Sequence, residues 1–312
     1  MGGIVVLGVF VADAAYRTDR LPRMGETVLG HAFALGPGGK GSNQAVAAAR
    51  LGGNVTMLTR LGDDAFADLA EQTWAEAGVR SAAVRDPESY TGSAAILIDH
   101  GSGDNAIIVS PGAGGTLSAA HMDGHRTTIE GASVVMTQLE QPLDAAQRAF
   151  AIAREAGATT ILNPAPAADL PDDFLSTCDW ITPNESEAET LTGIEVASED
   201  GARRAADALI ARGIGASGGV VVTLGERGVL LHTRNASAIV PAFRAGNVIE
   251  TTGAGDAFNG GFAVGLASGL APIEAARLGC ATAGLSVTKA GAAASMPSRR
   301  EVDELLANLT EA

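Results

Sequence analysis

The run Glu250-Thr251-Thr252-Gly253-Ala254-Gly255-Asp256-Ala257-Phe258-Asn259-Gly260 carries the strongest chemical signal in the chain. Glycines leading into a helix let successive backbone N–H groups converge on an anion, aided by the positive end of the helix dipole. Phe258, Phe262 and Leu266 recur at i, i+4 and i+8, which predicts a buried helix starting here. Asp256 then falls in its first turn, beside the anion site. There a carboxylate can serve as general base, taking a hydroxyl proton as a phosphoryl group arrives. An isolated aspartate at this position could merely complement the dipole. Inside Gly-Ala-Gly-Asp the chemical role is the stronger reading.

A second glycine cluster, Gly36-Pro37-Gly38-Gly39-Lys40-Gly41-Ser42-Asn43-Gln44, superficially suggests a Walker A loop. Ala34 stands where that loop needs its first glycine, and Gly41 where it needs Ser or Thr. The glycines instead admit close approach of backbone to a ligand, with Asn43 offering donors and acceptors. A structural turn before a helix at Ser42 accounts for this stretch alone equally well. Gly253 and Gly255 fit G-x-G, but Phe258 occupies the third glycine position of a dinucleotide fingerprint. Gly215-Ala216-Ser217-Gly218-Gly219 matches the esterase pattern by letter only, because a strand follows the serine where one should precede it. The five histidines (His31, His100, His121, His125, His232) are scattered, and no H-E-x-x-H or spaced Cys/His set exists to bind zinc.

These segments need a scaffold, and the chain predicts one. Apolar strand-like runs at Ile4–Val9, Val55–Thr59, Val134–Thr137, Thr159–Leu162, Trp180–Thr182 and Val220–Leu224 alternate with helical stretches. The helices are expected over Ser42–Leu51, Ala65–Ala77, Asp144–Ala156, Ala202–Arg212, Ala254–Ser268 and Ile273–Lys289. Strand–helix alternation with unbroken apolar strands predicts an α/β fold, a mainly parallel sheet covered on both faces in three layers. Two segments break the pattern. Residues 16–35 lack a helical period, with Leu29, Phe33 and Leu35 on one face of a possible strand. Over 93–109, two β-rich runs flank a hairpin loop at 99–105. Both are expected to build one small sheet acting as a lid, from about 12–37 and 91–111, on a single domain of 1–312. Two edge hairpins of the main sheet are the alternative.

The 312 residues hold 21 Lys+Arg against 36 Asp+Glu, a formal net charge of −15, which argues against nucleic acid and anionic lipid as partners. A hydrophobic content of 46% excludes a disordered chain. Cys178 and Cys280 form no C-x-x-C pair and no disulfide framework, the N-terminus reads as a strand without a signal sequence, and the uncharged stretch 257–273 is too glycine-broken to span a bilayer. A cytoplasmic protein is expected.

Over nearly its whole length the chain resembles the ribokinase-like family of ATP-dependent sugar kinases, the phosphofructokinase-B (PfkB) type. Residues 38–44 look like that family's N-terminal signature and residues 251–260 like its C-terminal one. Gln138-Leu139-Glu140, Asn163-Pro164-Ala165-Pro166, the segment 182–189 and Thr223-Leu224-Gly225-Glu226-Arg227-Gly228 are similar to its ribokinase branch. The resemblance implies that Asp256 is the base and that the amides of Gly253, Ala254 and Gly255 hold the transferring phosphoryl charge. It places Asp13, Gly39, Lys40, Gly41, Asn43 and Glu140, with Val11, around the sugar. Asn184 and Glu187 would act through water on Mg²⁺ and the ATP phosphates. Thr223, Leu224, Gly225, Glu226, Arg227 and Gly228, with Gly255 and Cys280, would flank the nucleotide. A K⁺ site would involve Glu250, Thr252, Ser286, Lys289, Gly291 and Ser295. A homodimer joined through the lid sheet is implied as well.

Two residues depart from the pattern. Glu250 stands where the family usually has aspartate, one methylene shorter. Val11 stands where the ribokinase branch has asparagine, two places before Asp13, and valine can neither donate nor accept. Losing a partner for a buried substrate hydroxyl costs about 1–3 kcal/mol, which leaves room for a sugar lacking that hydroxyl. The expected reaction is ATP-dependent phosphorylation of a sugar's terminal hydroxyl, D-ribose first. Another pentose, a deoxypentose, a hexose or a nucleoside is the alternative, and a non-catalytic sugar-binding regulator the reading from another class.

Overall fold

The computed structural model describes residues 2–215 and 218–308, so Ser217 of the esterase-like pentapeptide lies outside the described residues. Among the described residues, thirteen strands form two sheets: β1 (Gly3–Leu7), β2 (Val11–Thr18), β3 (Ala32–Gly38), β4 (Asn54–Gly62), β5 (Arg80–Asp86), β6 (Thr91–Asp99), β7 (Asn105–Gly112), β8 (Ala132–Thr137), β9 (Thr159–Leu162), β10 (Trp180–Ile181), β11 (Gly219–Thr223), β12 (Val229–His232) and β13 (Ser237–Val240). The larger sheet runs β13-β12-β11-β10-β9-β8-β1-β4-β5. Every pair from β11 to β5 is parallel, and only the pairs β11–β12 and β12–β13 are antiparallel.

Alternation along the strands divides the core into two apolar layers. Ile4, Val6, Met57, Val134, Met136, Ile161 and Trp180 face helices Lys40–Arg50, Ala254–Ala267 and Pro272–Ser286. Val5, Leu7, Leu58, Val135, Leu162 and Ile181 face helices Leu143–Glu155 and Glu199–Ala211. Near-continuous apolar strands are what a parallel sheet buried on both faces requires. This is the expected three-layer α/β arrangement. The expectation missed β5, β12 and β13. Arg80–Asp86 is an edge strand with no fully buried residue, so it carries little apolar pattern, and β12 and β13 are only four residues each.

The smaller sheet has the order β3-β2-β6-β7, with β2 and β6 parallel and both outer pairs antiparallel. The two irregular segments therefore make one separate sheet, not edge hairpins of the main one. Leu29 is not part of it. β3 begins at Ala32, after His31 N donates to Arg17 O, and Leu29 stands 90% exposed in the preceding loop. Register and alternation give this sheet two unlike faces. Val11, Asp13, Ala94 and Ile96 share one; Ala14, Tyr16, Phe33, Leu35, Leu97 and Ile108 share the other. No described helix is long and apolar enough to cross a membrane.

Candidate active site

The carboxyl ends of the parallel strands converge, and the site gathers there, as open α/β sheets dictate. Gln138 follows β8, Asn163 follows β9, Thr182 and Asn184 follow β10, and Thr223 ends β11. Two helices close the cluster. Lys40–Arg50 starts from Gly39, whose φ of 85° only glycine adopts readily and where a Cβ would lie 2.5 Å from Val9 O. Ala254–Ala267 starts from Gly253 at φ 79°. The two helices pack without spacing side chains: a Cβ on Gly260 would meet Ala47 Cβ at 2.5 Å. That close approach brings Asn43 and Gln44 onto Asp256.

Asp256 is 7% exposed, and both its oxygens are held by side-chain amides. Asn43 Nδ2 donates to Oδ2 at 3.0 Å and Gln44 Nε2 to Oδ1 at 2.9 Å. Burial pushes its carboxyl up; Lys40 and the two amides pull it back toward the ionised form. Asn43 Oδ1 is buried and has no partner, an acceptor left for a donor from outside the protein. Lys40 N donates to Glu140 Oε2 at 2.8 Å, and burial raises the Glu140 carboxyl.

Asp13 closes the side nearest the small sheet. Its carboxylate packs on Gly38, where an added Cβ would lie 2.1 Å from Oδ2. Burial pushes Asp13 up to about 6, with no hydrogen bond opposing it. Its neighbour on the same face, Val11, is 5% exposed and packs with Val9, Ala94 and Ile96.

A cavity of about 200 Å³ opens over Asp256 and is lined also by Lys40, Asn184, Glu187, Gly253 and Gly255. Asn184 caps helix Glu185–Thr192, accepting from Glu187 N at 2.8 Å while Glu187 Oε2 accepts from Asn184 N at 2.8 Å. Burial raises the Glu187 carboxyl. No Cβ would meet any atom at Gly255, so the start of helix Ala254–Ala267 faces open space. Thr223 and Gly255 also line a second, adjoining cavity of about 560 Å³. Its walls include Gly225, Gly228, Phe243, Val248, Phe258 and Cys280, a mostly apolar slot that suits a planar base. Burial pushes the Cys280 thiol up to about 12, which keeps it protonated.

Of the sequence-derived set, Lys40, Asn184, Glu187 and the residues 253–256 line these cavities, as do Thr223, Gly225, Glu226, Gly228 and Cys280; Asn43 and Glu140 join them through their bonds to Asp256 and Lys40, and Asp13 packs on Gly38. Gly41 lies under the site, where a Cβ would meet Gly8 Cα at 2.7 Å. Two residues lie away from the large cavity: Leu224 is buried in the core, and Arg227 pairs at the surface with Glu185 at 3.0 Å. Farther out, Glu250 Oε2 accepts from Gly291 N at 2.9 Å, and the Ser286 and Ser295 hydroxyls donate to Ala283 O and Ala292 O. Thr252 is exposed beside Gly253, and Lys289 Nζ is taken up by Glu301 Oε1 at 2.7 Å. Sequence reasoning missed Gln44, Asn163, Thr182 and Asn259 as site residues. For Asn163 and Thr182 the available signal was a polar side chain directly after an apolar strand; Gln44 and Asn259, on helices, had none. The loop 242–248 had none, because it lines the large cavity through irregular backbone.

A buried carboxylate beside backbone donors and a slot for a base can activate a hydroxyl toward a nucleotide phosphate. Comparison with known proteins agrees. The model of the pfkB family carbohydrate kinases matches residues 1–299. A ribokinase of Haemophilus influenzae is 39% identical over 97% of this chain and 98% of its own length. A deoxyribokinase of Salmonella typhi is 38% identical over 97% of this chain and 98% of its own. The structure of Arabidopsis thaliana ribokinase complexed with ribose and ATP covers 98% of this chain and 99% of that one, at 30% identity and a TM-score of 0.90. With that coverage joined to the buried Asp256 and its glycine-lined cavity, the chain belongs to the pfkB family of ATP-dependent carbohydrate kinases.

Proposed function

We propose that this enzyme transfers the γ-phosphoryl group of ATP to the terminal hydroxyl of a pentose, D-ribose first, giving ribose 5-phosphate. The observation that carries the reading is Asp256, buried on the smaller cavity one residue from Gly255, which both cavities share, with both oxygens held by amides. Each carboxylate oxygen keeps a second lone pair, so Asp256 can take the hydroxyl proton while Asn43 and Gln44 hold it. The 253–255 amides face the transferring phosphoryl group, and Asp13, Asn43 Oδ1 and Glu140 accept from sugar hydroxyls. The small sheet acts as a lid, carrying Asp13 over the sugar and excluding water.

The residues present fit the expected ions. Glu187 lines the cavity with one oxygen left by its capping bond, and Asn184 lies beside it, so both would hold Mg²⁺ through water. When bound, that ion neutralises phosphate charge. Glu250, Ser286 and Ser295 offer oxygens, with backbone at Thr252, Lys289 and Gly291, for K⁺. The Lys289 ammonium points to Glu301 and does not compete. The apolar face of the lid sheet, with Tyr16 at 43%, Phe33 at 58% and Ile108 at 69% exposure, supports a homodimer. Sedimentation at micromolar concentration tests it: a monomer would end that part of the reading.

A second reading is favoured by one observation. Val11 makes the wall beside Asp13 apolar, which suits a deoxypentose, and the Salmonella typhi relative is a deoxyribokinase. A coupled ADP-release assay over a sugar panel, with Mg²⁺ and with or without K⁺, tests both readings. Failure of every sugar on the panel to cause ADP release would favour a non-catalytic sugar-binding protein.

A further inference from the structure

Asp256 is the end of a chain of buried amides that no role described so far uses. Gln138 Nε2 donates to Gln44 Oε1 at 2.6 Å. Gln44 Nε2 then donates both to Asp256 Oδ1 at 2.9 Å and to Asn163 Oδ1 at 3.0 Å. Asn163 Nδ2 passes on to Thr182 O at 3.1 Å, Thr182 Oγ1 donates to Asn259 Oδ1 at 2.7 Å, and Asn259 Nδ2 closes on Gly255 O at 2.9 Å. The chain thus links the ends of three strands to the first turn of the helix bearing Asp256. All six side chains are at most 7% exposed.

The direction of these bonds has a chemical consequence. An amide has a donor end and an acceptor end, while an ionised carboxylate only accepts. If Gln44 turned over, its oxygen would face Asp256 Oδ1, and only the protonated acid could pair with it. Gln138 prevents this by placing its own donor on Gln44 Oε1. Gln138 is in turn wedged between Gly8 and Gly41, where Cβ atoms would lie 2.5 and 2.9 Å from its Oε1. That oxygen has no partner, so the arrangement keeps one buried acceptor unsatisfied.

We propose that Gln44 and Gln138 are positioning residues that present a fixed donor to Asp256, holding it ionised and aimed at the sugar hydroxyl. The inference rests on Asp256 being the base. The charged groups facing Asp256 are Lys40, which favours its anion, and the carboxylates of Glu140 and Glu187, which repel it; Asp13 faces Glu140.

The test is the pH profile of kcat at saturating sugar and ATP for Gln138→Met and Gln44→Met beside wild type, with thermal melting and ADP binding as checks on folding. A donor to a charged group corresponds to about one to two pH units. The acid limb is expected to move up by about that much in Gln44→Met and in the same direction, by less, in Gln138→Met. Activity should recover toward wild type on the alkaline side, with KM for ATP within about twofold. A limb that stays in place in Gln138→Met, which leaves every direct contact of Asp256 intact, overturns the proposal even if Gln44→Met does not fold. So does an equal loss of kcat at every pH. Failure of the underlying reading looks different: Asp256→Asn would then keep wild-type kcat.

Discussion

Asn43 Nδ2 donates to Asp256 Oδ2 at 3.0 Å, across 213 positions of sequence. The bond ties the two glycine-rich segments into one site. It also leaves Asn43 Oδ1 as a buried free acceptor on the same side chain, so one residue holds Asp256 and has an acceptor left for a ligand hydroxyl.

Replacing that base should separate chemistry from binding. Asp256→Asn is nearly isosteric and can still hydrogen-bond within the amide pair. We expect kcat to fall about a thousandfold, in the range of general-base removal, with ADP affinity within about twofold. Steady-state kinetics and calorimetry check this; wild-type turnover would remove Asp256 from the role.

Val11 should govern the choice of sugar. Val11→Asn is expected to raise the kcat/KM ratio of ribose over 2-deoxyribose by about tenfold, one buried hydrogen bond's worth. An unchanged ratio would show that the apolar wall of Val9, Val11, Ala94 and Ile96 does not select between them.

Asp13 makes a prediction in pH. Its pKa is raised by burial from 3.8 to about 6, so its folded form binds the proton more tightly than the unfolded one. Its contribution to stability is present below 3.8 and is lost as pH rises through about 6. Asp13→Asn should therefore raise Tm at pH 8 by on the order of 3 °C and have little effect at pH 3.5. In the intact enzyme, sugar kcat/KM should fall below about pH 6 as the acceptor is protonated. Melting curves showing the same shift at both pH values would refute the burial argument.

Two glycines of the nucleotide slot should differ. Gly228 has φ 94°, and a Cβ there would lie 2.0 Å from Val240 O. Gly225 has φ 57° with no atom near an added Cβ. Gly228→Ala should cost about 2 kcal/mol or more and raise KM for ATP several-fold; Gly225→Ala should cost about 1 kcal/mol. Denaturant melts and ATP titrations compare them, and equal effects would contradict the geometry.

The C-terminal helix, Arg299–Asn308, should loosen in acid. Lys289, with the Ser298 backbone and hydroxyl, holds Glu301 down from 4.5 to about 2. Its stabilisation is present above 4.5 and lost as pH falls toward about 2. The pair is partly exposed, so screening limits it to at most about 1 kcal/mol. Glu301→Gln should lower Tm at pH 7 and not at pH 2; hydrogen exchange over 299–308 locates the change.

Much of this was legible in one dimension. Apolar strands such as Val5–Leu7 and Val220–Val222 announce a sheet buried on both faces, because a strand covered twice cannot alternate. Gly253-Ala254-Gly255-Asp256 announces a glycine-led helix start with a carboxylate in its first turn, because the positive φ of Gly253 is a local requirement. The hairpin at 99–105 is equally local. What only the tertiary structure decided is which distant side chains meet. Gln44 and Asn259, on helices, have no local signal, since their polar groups are matched by partners up to 212 positions away. Their meeting depends on helices packed through Gly260 and Ala47 to a distance no periodicity encodes. The sequence determined that a carboxylate follows a glycine-led helix start; the packing of two helices against the strand ends determined what holds it.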